Sequence, residues 1–162
     1  MLKKLTITKW QNKIPEKGDW IRVKIEFSFH HALYISDEEV LHYCSPEGYS
    51  IFNPRLTFQS TSLQVFSNNN PIEIRGFTDE ENLIKNIPEK VIEKALSLVG
   101  ESEYDIYFNN CEHIINECFF NKRESEHTEF LFRRGLSKRK NTGLPGIIDN
   151  MYVSLVKITG GK

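Results

Sequence analysis

The chain has 162 residues, of which 39% are hydrophobic and 27% are charged, and its formal net charge is -1. This composition is typical of one globular domain that buries a full core, and it indicates neither a disordered chain nor a membrane protein. A net charge close to zero also produces no strong field for nucleic acid. We therefore expect a single domain over residues 1–162 with no nucleic-acid partner.

The three cysteines, Cys44, Cys111 and Cys118, are an odd number and form no Cys-x-x-Cys unit. This pattern predicts neither a disulfide framework nor a zinc ribbon, and reduced thiols fit a cytoplasmic protein. The N-terminal residues contain no apolar core of signal-peptide length, and no later run is long enough to cross a bilayer. We therefore expect a cytoplasmic protein without a signal peptide or a transmembrane segment.

Strands are predicted early in the chain, after a turn at Lys17-Gly18-Asp19. Residues Trp20 to Phe27 alternate between apolar and charged side chains, which is the period of a half-buried strand. Phe29 to Ile35 and Val40 to Cys44 are short apolar runs joined by Ser36-Asp37-Glu38-Glu39. Two such runs around a polar turn predict an antiparallel hairpin.

The middle of the chain is expected to be irregular before a second pair of strands. Residues 45–61 contain prolines, a glycine and scattered aromatic rings, so they predict a long connection that could form a wall or lid. Ser62 to Phe66 and Ile72 to Arg75 then predict two strands around an Asn-Asn-Asn-Pro turn.

Helices are predicted in the second half. One starts near Thr78, and a stronger one runs from Pro88 through Val99, with apolar residues on one face. A third begins at Cys111 and ends near Asn121. Because strands come first and helices second, the pattern favours the α+β class, with an antiparallel sheet packed against helices.

The pattern weakens in the C-terminal extension over residues 122–162, to which we assign no role. Glu129 to Leu136 could be helical, and Gly146 to Ile158 could pack back as a short helix or strand. The basic run Lys138, Arg139 and Lys140 is more simply a solvated surface. The alternative is a transient contact with an anionic membrane surface.

Cys111 lies where a nucleophile could be activated. The apolar residues that follow it at three, four, seven and eight positions are Ile114, Ile115, Cys118 and Phe119. Cys111 therefore shares their helical face. Asn109 or Asn110 can cap the helix, which puts the sulfur in the first turn, where backbone N–H groups stabilise a thiolate and could hold an oxyanion. The alternative is an ordinary buried cysteine in a core helix.

A thiolate nucleophile needs a base and a group that orients the base. His113 lies two residues after Cys111, about 200° around a helix, so it cannot face the same cleft. His127 lies in a charged stretch without clear periodicity, and we expect it to be exposed. The candidates that remain are the three histidines of the hairpin.

In the hairpin, His30 and His31 point to opposite faces of their strand, so only one of them can face the cysteine. The four-residue turn can bring His42, on the second strand, beside one face of the first strand, where it could act as the orienting group. Local structural hydrogen bonds are the alternative role for these rings. A zinc site from His30, His42 and Cys44 is a weaker alternative, because no standard ligand spacing supports it. The sequence also lacks a serine nucleophile elbow and a phosphate-binding glycine loop.

Taken together, these segments resemble the lecithin:retinol acyltransferase-like family, which includes small phospholipase/acyltransferases. Lys17 to Ile21 is similar to the family's opening strand. His30 to Ile35, with His42 twelve residues after His30, resembles its histidine box. Tyr104 to His113 contains its Asn-Cys-Glu-His element. The resemblance covers about residues 17–120.

The resemblance implies a circularly permuted papain-like fold, related to bacterial cell-wall peptidases of the NlpC type. It also implies roles: Cys111 as the nucleophile, His30 as the base and His42 as the third polar group. His31, which stands where many relatives have tryptophan, is the alternative base. Asn110 would support the helix cap and the oxyanion. Neither a cofactor nor a metal is implied.

The expected function is cysteine-dependent acyl transfer on a lipid ester, of the phospholipase A or acyltransferase type, through an acyl-Cys111 intermediate. One alternative is a cysteine peptidase or amidase of the NlpC type. The absence of a secretion signal counts against extracellular peptidoglycan as its substrate. Another alternative is a non-catalytic interaction module that keeps the fold.

Overall fold

A computed structural model describes residues 10–25, 28–46, 55–105, 109–126 and 128–129. The strands in this part of the chain are β1 (Trp10–Gln11), β2 (Trp20–Ile25), β3 (Ser28–Ser36), β4 (Glu39–Cys44), β5 (Thr57–Thr61) and β6 (Ile72–Arg75). The helices are α1 (Leu63–Ser67), α2 (Asp79–Ile84), α3 (Pro88–Ser97) and α4 (Cys111–Phe120). An antiparallel sheet with helices confirms the α+β class.

The strands form one six-stranded sheet in the order β1-β6-β2-β3-β4-β5. All neighbouring strands are antiparallel. The hairpin of β3 and β4 is confirmed, and its backbone pairing runs from Ser36–Glu39 to Leu33–Leu41. The predicted strand from Trp20 is also confirmed as β2, which ends at Ile25 in the described residues.

Each face of the sheet has its own core because successive strand residues point to opposite faces. On one face the core is shared between the sheet and two helices. It joins Trp20, Leu33, Leu41 and Tyr43 of the sheet with Val91 and Ala95 of α3 and Ile114 and Ile115 of α4. On the other face lie Ile21, Val23, Ala32, Val40, Phe66 and Ile74. Full burial of a side chain such as Leu33 or Ile114 stabilises the fold by roughly 1.5–3 kcal/mol.

The prediction of a strand over Ser62 to Phe66 is wrong, because this segment forms α1. The Ser62 side chain caps the helix by accepting the Val65 N–H at 3.3 Å. Asn68 ends the helix in the left-handed region, with φ 45°. Asparagine tolerates that conformation, so two local caps outweigh the strand propensity of Val65 and Phe66.

The prediction of irregular structure through Thr61 is wrong for its last five residues, which form β5. β5 pairs with β4 from Val40–Thr61 to Cys44–Thr57. The alternation of apolar and polar residues in β5 is weak because the residues between Thr57 and Thr61 are mostly polar. The strand is stabilised by its pairing with β4 and not by its own sequence pattern. The predicted strand over Ile72 to Arg75 is confirmed as β6.

The predicted helix starts are confirmed at Thr78 and Pro88. Thr78 caps α2 and its backbone N–H donates to the Glu81 carboxylate at 2.9 Å. The same carboxylate accepts from Arg75 at 2.8 Å, which ties α2 to β6. No helix in the described residues is long and apolar enough to cross a membrane.

Several predictions fall on parts of the chain outside the described residues. They are Phe27, residues 47–54 of the proposed wall or lid, His127, the helix beyond Glu129, the basic run of Lys138, Arg139 and Lys140, and the segment from Gly146 to Ile158. These remain predictions from sequence.

Replacing Gly18 with alanine is expected to destabilise the protein more than the same change at Gly100. The two glycines have similar positive φ angles, 92° and 96°, so backbone strain of about 1–2 kcal/mol applies to each alanine. At Gly18 the new Cβ would also lie 2.9 Å from Cβ of Pro88, whereas no described atom lies within 4 Å at Gly100. This crowding adds about 1–3 kcal/mol, since the proline ring is rigid. Urea unfolding measures both variants, and equal losses would contradict the assignment.

Candidate active site

The candidate nucleophile lies at the first position of α4, as predicted. Asn110 is the N-cap, and its Oδ1 accepts the N–H groups of Glu112 at 2.9 Å and His113 at 3.2 Å. His113 Nδ1 in turn accepts the N–H of Asn110 at 3.1 Å, which completes a capping box. The His113 ring is therefore part of the helix cap. Cys111 is 4% exposed and belongs to the core on the face of α4.

A charged network holds the residue before this cap. Asn109 donates from Nδ2 to Glu101 at 2.9 Å and accepts from Arg123 at 2.6 Å. Arg123 also forms two hydrogen bonds of 2.7 Å with the Glu101 carboxylate, and Tyr43 on β4 donates to it at 2.9 Å. The hydrogen bonds from Arg123 lower the pKa of Glu101 to about 2. The network joins β4 to the start of α4 and so sets the position of Cys111.

The sulfur of Cys111 lies against the backbone of β3. The N–H of His31 donates to Sγ at 3.5 Å, and Sγ lies 4.0 Å from the carbonyl oxygen of Phe29. His30 is the residue between them. These contacts occur beyond Leu33, where the backbone pairing of β3 with β4 ends. The structure therefore places the sulfur beside the segment that carries the candidate base.

His30 and His42 meet on the opposite face of the sheet, under α1. His30 Nε2 lies 2.8 Å from His42 Nδ1, and His42 Nε2 lies 2.7 Å from Thr61 Oγ1. The ring of Phe66 covers both histidines, with ring centroids 5.2 and 5.1 Å away. The side chains are buried, with residue exposures of 1% and 2%. The two rings predicted to act together are thus in direct contact.

Burial keeps both of these histidines neutral near pH 7. It lowers the pKa of His30 well below its ordinary value, and the neighbouring His42 and His31 lower it further. Burial also lowers the pKa of His42 to about 4, although a hydrogen bond with the Tyr43 backbone acts in the opposite direction. A neutral imidazole has a lone pair that can accept a proton, which is the state that a general base requires.

His31 points to the other face, as strand alternation predicts. Its Nδ1 accepts the indole N–H of Trp20 at 2.9 Å. The ring also makes edge contacts with Trp10 and Trp20. The His31 ring therefore has structural partners in the described residues, while its backbone contacts the sulfur.

The remaining sequence candidates do not converge on a metal. Among the described residues no cluster of three or more His, Cys, Asp or Glu side chains could hold a metal ion, so the zinc alternative is not supported. Cys44 and Cys118 are buried and free. Burial raises the pKa of Cys44 and raises that of Cys118 to about 12.

Comparison with known proteins identifies the family. The family model of lecithin retinol acyltransferase matches residues 13–124, which is more than half of the chain. The chain belongs to the lecithin retinol acyltransferase family. A similar curated protein is phospholipase A and acyltransferase 5 of Rattus norvegicus, which is 24% identical over 148 residues. The match covers 86% of this chain and 50% of the rat protein, so the chain spans about half the length of that relative.

Two features of this lecithin retinol acyltransferase family member are not among the candidates from sequence. They are Thr61, which contacts His42, and the network around Glu101. Thr61 falls in the stretch that the sequence predicts to be irregular, and only the pairing of β5 with β4 brings it near His42. Tyr43, Glu101 and Arg123 are separated by 58 and 22 residues. Their separation follows no helical or strand period, so no local signal could have connected them.

We expect iodoacetamide at pH 7 to alkylate the folded protein at Cys111. A thiol with a pKa of about 12 has roughly 10⁻⁵ of its population as thiolate at this pH, so Cys118 is unreactive. Burial also raises the pKa of Cys44, so a smaller fraction of this thiol is ionised at pH 7. Peptide mapping is expected to show Cys111 labelled at least about tenfold faster than the others.

Cys111→Ala should leave the folded protein unlabelled, whereas the unfolded wild-type chain should take up label at all three cysteines. Equal labelling rates of Cys111, Cys44 and Cys118 below pH 7 would show that the position at the helix start does not activate the sulfur.

The buried histidines predict a loss of stability in mild acid. The pKa of His42 is about 4 in the folded protein and about 6.5 when unfolded, so the unfolded chain binds more protons. The stability that neutral His42 contributes is full above pH 6.5 and is lost as the pH falls toward 4. The free energy of unfolding lost by pH 4.5 is about 2–3 kcal/mol.

Urea unfolding at pH 7 and pH 4.5 tests this, with His42→Gln as the comparison because glutamine does not titrate. The variant should lose less stability between the two pH values than the wild type does. An identical loss in both proteins would mean that His42 does not titrate in this range.

Proposed function

We propose that this protein is a thiol acyl-transfer enzyme that acts on a lipid ester, such as a glycerophospholipid, through an acyl-Cys111 intermediate. The observation that carries the proposal is the convergence on His30. Cys111 Sγ contacts the backbone on both sides of this residue, and the His30 ring contacts His42 at 2.8 Å. Family membership supports the reaction class, because the family is named for an acyltransferase.

The reaction begins with proton transfer from Cys111 to His30. The sulfur attacks the ester carbonyl and forms a tetrahedral oxyanion. Backbone N–H groups near the start of α4, where Asn110 is the N-cap, would stabilise this oxyanion. Asn110 then acts through the cap.

Collapse of the tetrahedral intermediate breaks the ester C–O bond. His30 returns its proton to the leaving alcohol, and the acyl group stays on Cys111 as a thioester. Water then attacks the thioester and releases a fatty acid, or an amine or alcohol attacks it and becomes acylated. In both cases His30 removes the proton of the attacking group, the thioester C–S bond breaks, and His30 returns the proton to the Cys111 sulfur. His42 orients His30 throughout.

We further propose that the fold is a circularly permuted papain-like arrangement. The two histidine strands, β3 and β4, precede the nucleophile helix α4 in the chain. The sheet packs against that helix, with Ile114 and Ile115 in the shared core. This order agrees with the order implied by the family resemblance. A cytoplasmic location and membrane contact through Lys138, Arg139 and Lys140 remain predictions from sequence.

Incubation with phosphatidylcholine in mixed micelles tests the proposed function, with peptide amides as the competing substrate class. Intact mass spectrometry is expected to show an acyl adduct that hydroxylamine removes, together with free fatty acid and lysolipid. Cys111→Ala should lose at least about 10³-fold in activity, because no other group replaces the sulfur. Cys44→Ala is the matched control and should retain activity.

Two further variants distinguish the bases. His30→Gln should reduce kcat at least about 100-fold, whereas His31→Gln should have a much smaller effect because the His31 ring bonds Trp20. The opposite ranking would make His31 the base. Cleavage of the peptide amides without any reaction on lipid would instead favour the peptidase or amidase alternative, and no reaction with either substrate would favour a non-catalytic module.

A further inference from the structure

We propose that Thr61 is a positioning residue that fixes the tautomers of His42 and His30, so that Nδ1 of His30 carries the lone pair that receives the thiol proton. This inference rests on the proposed function, because it assigns a role within the same site. It adds a fourth member to the set formed by Cys111, His30 and His42.

The first step concerns the hydroxyl proton of Thr61. Thr61 Oγ1 lies 3.2 Å from the carbonyl oxygen of Ser62 and 2.7 Å from Nε2 of His42. A carbonyl oxygen can only accept, so we assign the single hydroxyl proton of Thr61 to the Ser62 carbonyl. With this assignment Thr61 Oγ1 accepts its second hydrogen bond, and Nε2 of His42 carries a proton.

The second step passes this assignment to His30. A neutral imidazole carries one proton, so His42 with N–H at Nε2 has its lone pair at Nδ1. The contact of 2.8 Å between His42 Nδ1 and His30 Nε2 then requires His30 to donate from Nε2. Neutral His30 therefore has its lone pair at Nδ1. The low pKa of both rings supports the neutral forms used here.

The tautomer matters because the two nitrogens of His30 have different neighbours. Nε2 is occupied by His42, so the proton of Cys111 has to be received at Nδ1. If the order of donors were reversed, His42 would donate from Nδ1 and His30 would carry its proton at Nδ1. That form cannot accept a proton from the sulfur without rearrangement of the whole chain of hydrogen bonds.

The surroundings favour the hydroxyl over water as the partner of His42. His42 is buried, and Phe66 of α1 lies over both rings. Thr61 is also the last residue of β5 and precedes Ser62, the cap of α1. The strand and the helix cap together hold Thr61 diagonally across from His42, which pairs with Gln59 in the register.

The test compares Thr61→Val, which keeps the shape but removes the hydroxyl, with Thr61→Ser, which retains it. Thr57→Val is the matched control, because Thr57 lies at the other end of the same strand, opposite Cys44. Nitrogen-15 NMR of histidine-labelled protein at pH 7 reports the tautomer of each ring. His30→Gln and His42→Gln assign the signals.

In the wild type, Thr61→Ser and Thr57→Val, we expect both rings to carry the proton at Nε2. In Thr61→Val we expect a mixture of tautomers at His42 and His30. The alkylation rate of Cys111 at pH 7 should fall about tenfold, and kcat should fall by a similar factor with little change in KM. A purely structural threonine would change stability without changing the tautomers.

Detection of His30 with its proton at Nδ1 in the wild type would overturn the proposal, even if Thr61→Val failed to fold. Wild-type tautomers and an unchanged alkylation rate in folded Thr61→Val would also overturn it. The NMR and alkylation measurements need no lipid. The predicted tautomers in a protein that does not react with phosphatidylcholine would therefore contradict the proposed function and leave the role of Thr61 supported.

Discussion

The candidate site depends on the point at which β3 stops pairing with β4. Up to Leu33–Leu41 the two strands are joined by backbone hydrogen bonds. Beyond that point the backbone of β3 contacts Cys111 Sγ, and the two strands are connected by side chains through His30 and His42. β4 remains paired with β5 as far as Cys44–Thr57. Cys111 Sγ, which lies on one face of the sheet, can thus approach the backbone of β3, while the rings of His30 and His42 lie on the other face.

Two electrostatic environments meet at this point. The start of α4 is held by a network of charges, in which Arg123 lowers the pKa of Glu101 and Tyr43 donates to the same carboxylate. The histidine pair is instead buried and uncharged, and burial is the largest cause of the low pKa of His30. A carboxylate in the place of His42 would raise that pKa by stabilising the imidazolium. A histidine there brings no such charge, so the pKa of His30 stays low and its ring stays neutral, which is the state that the proposed base requires.

The periodic elements could be predicted from sequence because their cores follow strand or helix spacing. Strand alternation separates His30 from His31. The apolar positions after Cys111 give the helical face of the sulfur, and the asparagine cap places it in the first turn of α4. α1 and β5 could not be predicted in the same way. The caps at Ser62 and Asn68 outweigh a strand pattern, and β5 depends on pairing with β4. The partners of Asn109 come from distant parts of the chain, so only the folded structure brings them together.

The choice between His30 and His31 follows from the packing of the residues next to them. A slip of one residue in β3 that put His31 in the place of His30, beside His42, would also put Leu33 in the place of Ala32. Both of these apolar residues are fully buried, at 0% exposure. Leucine in the position of alanine would overpack the core under α1. The register that places His30, the proposed base, beside His42 is therefore enforced by the sizes of Ala32 and Leu33, which have no role in the proposed chemistry.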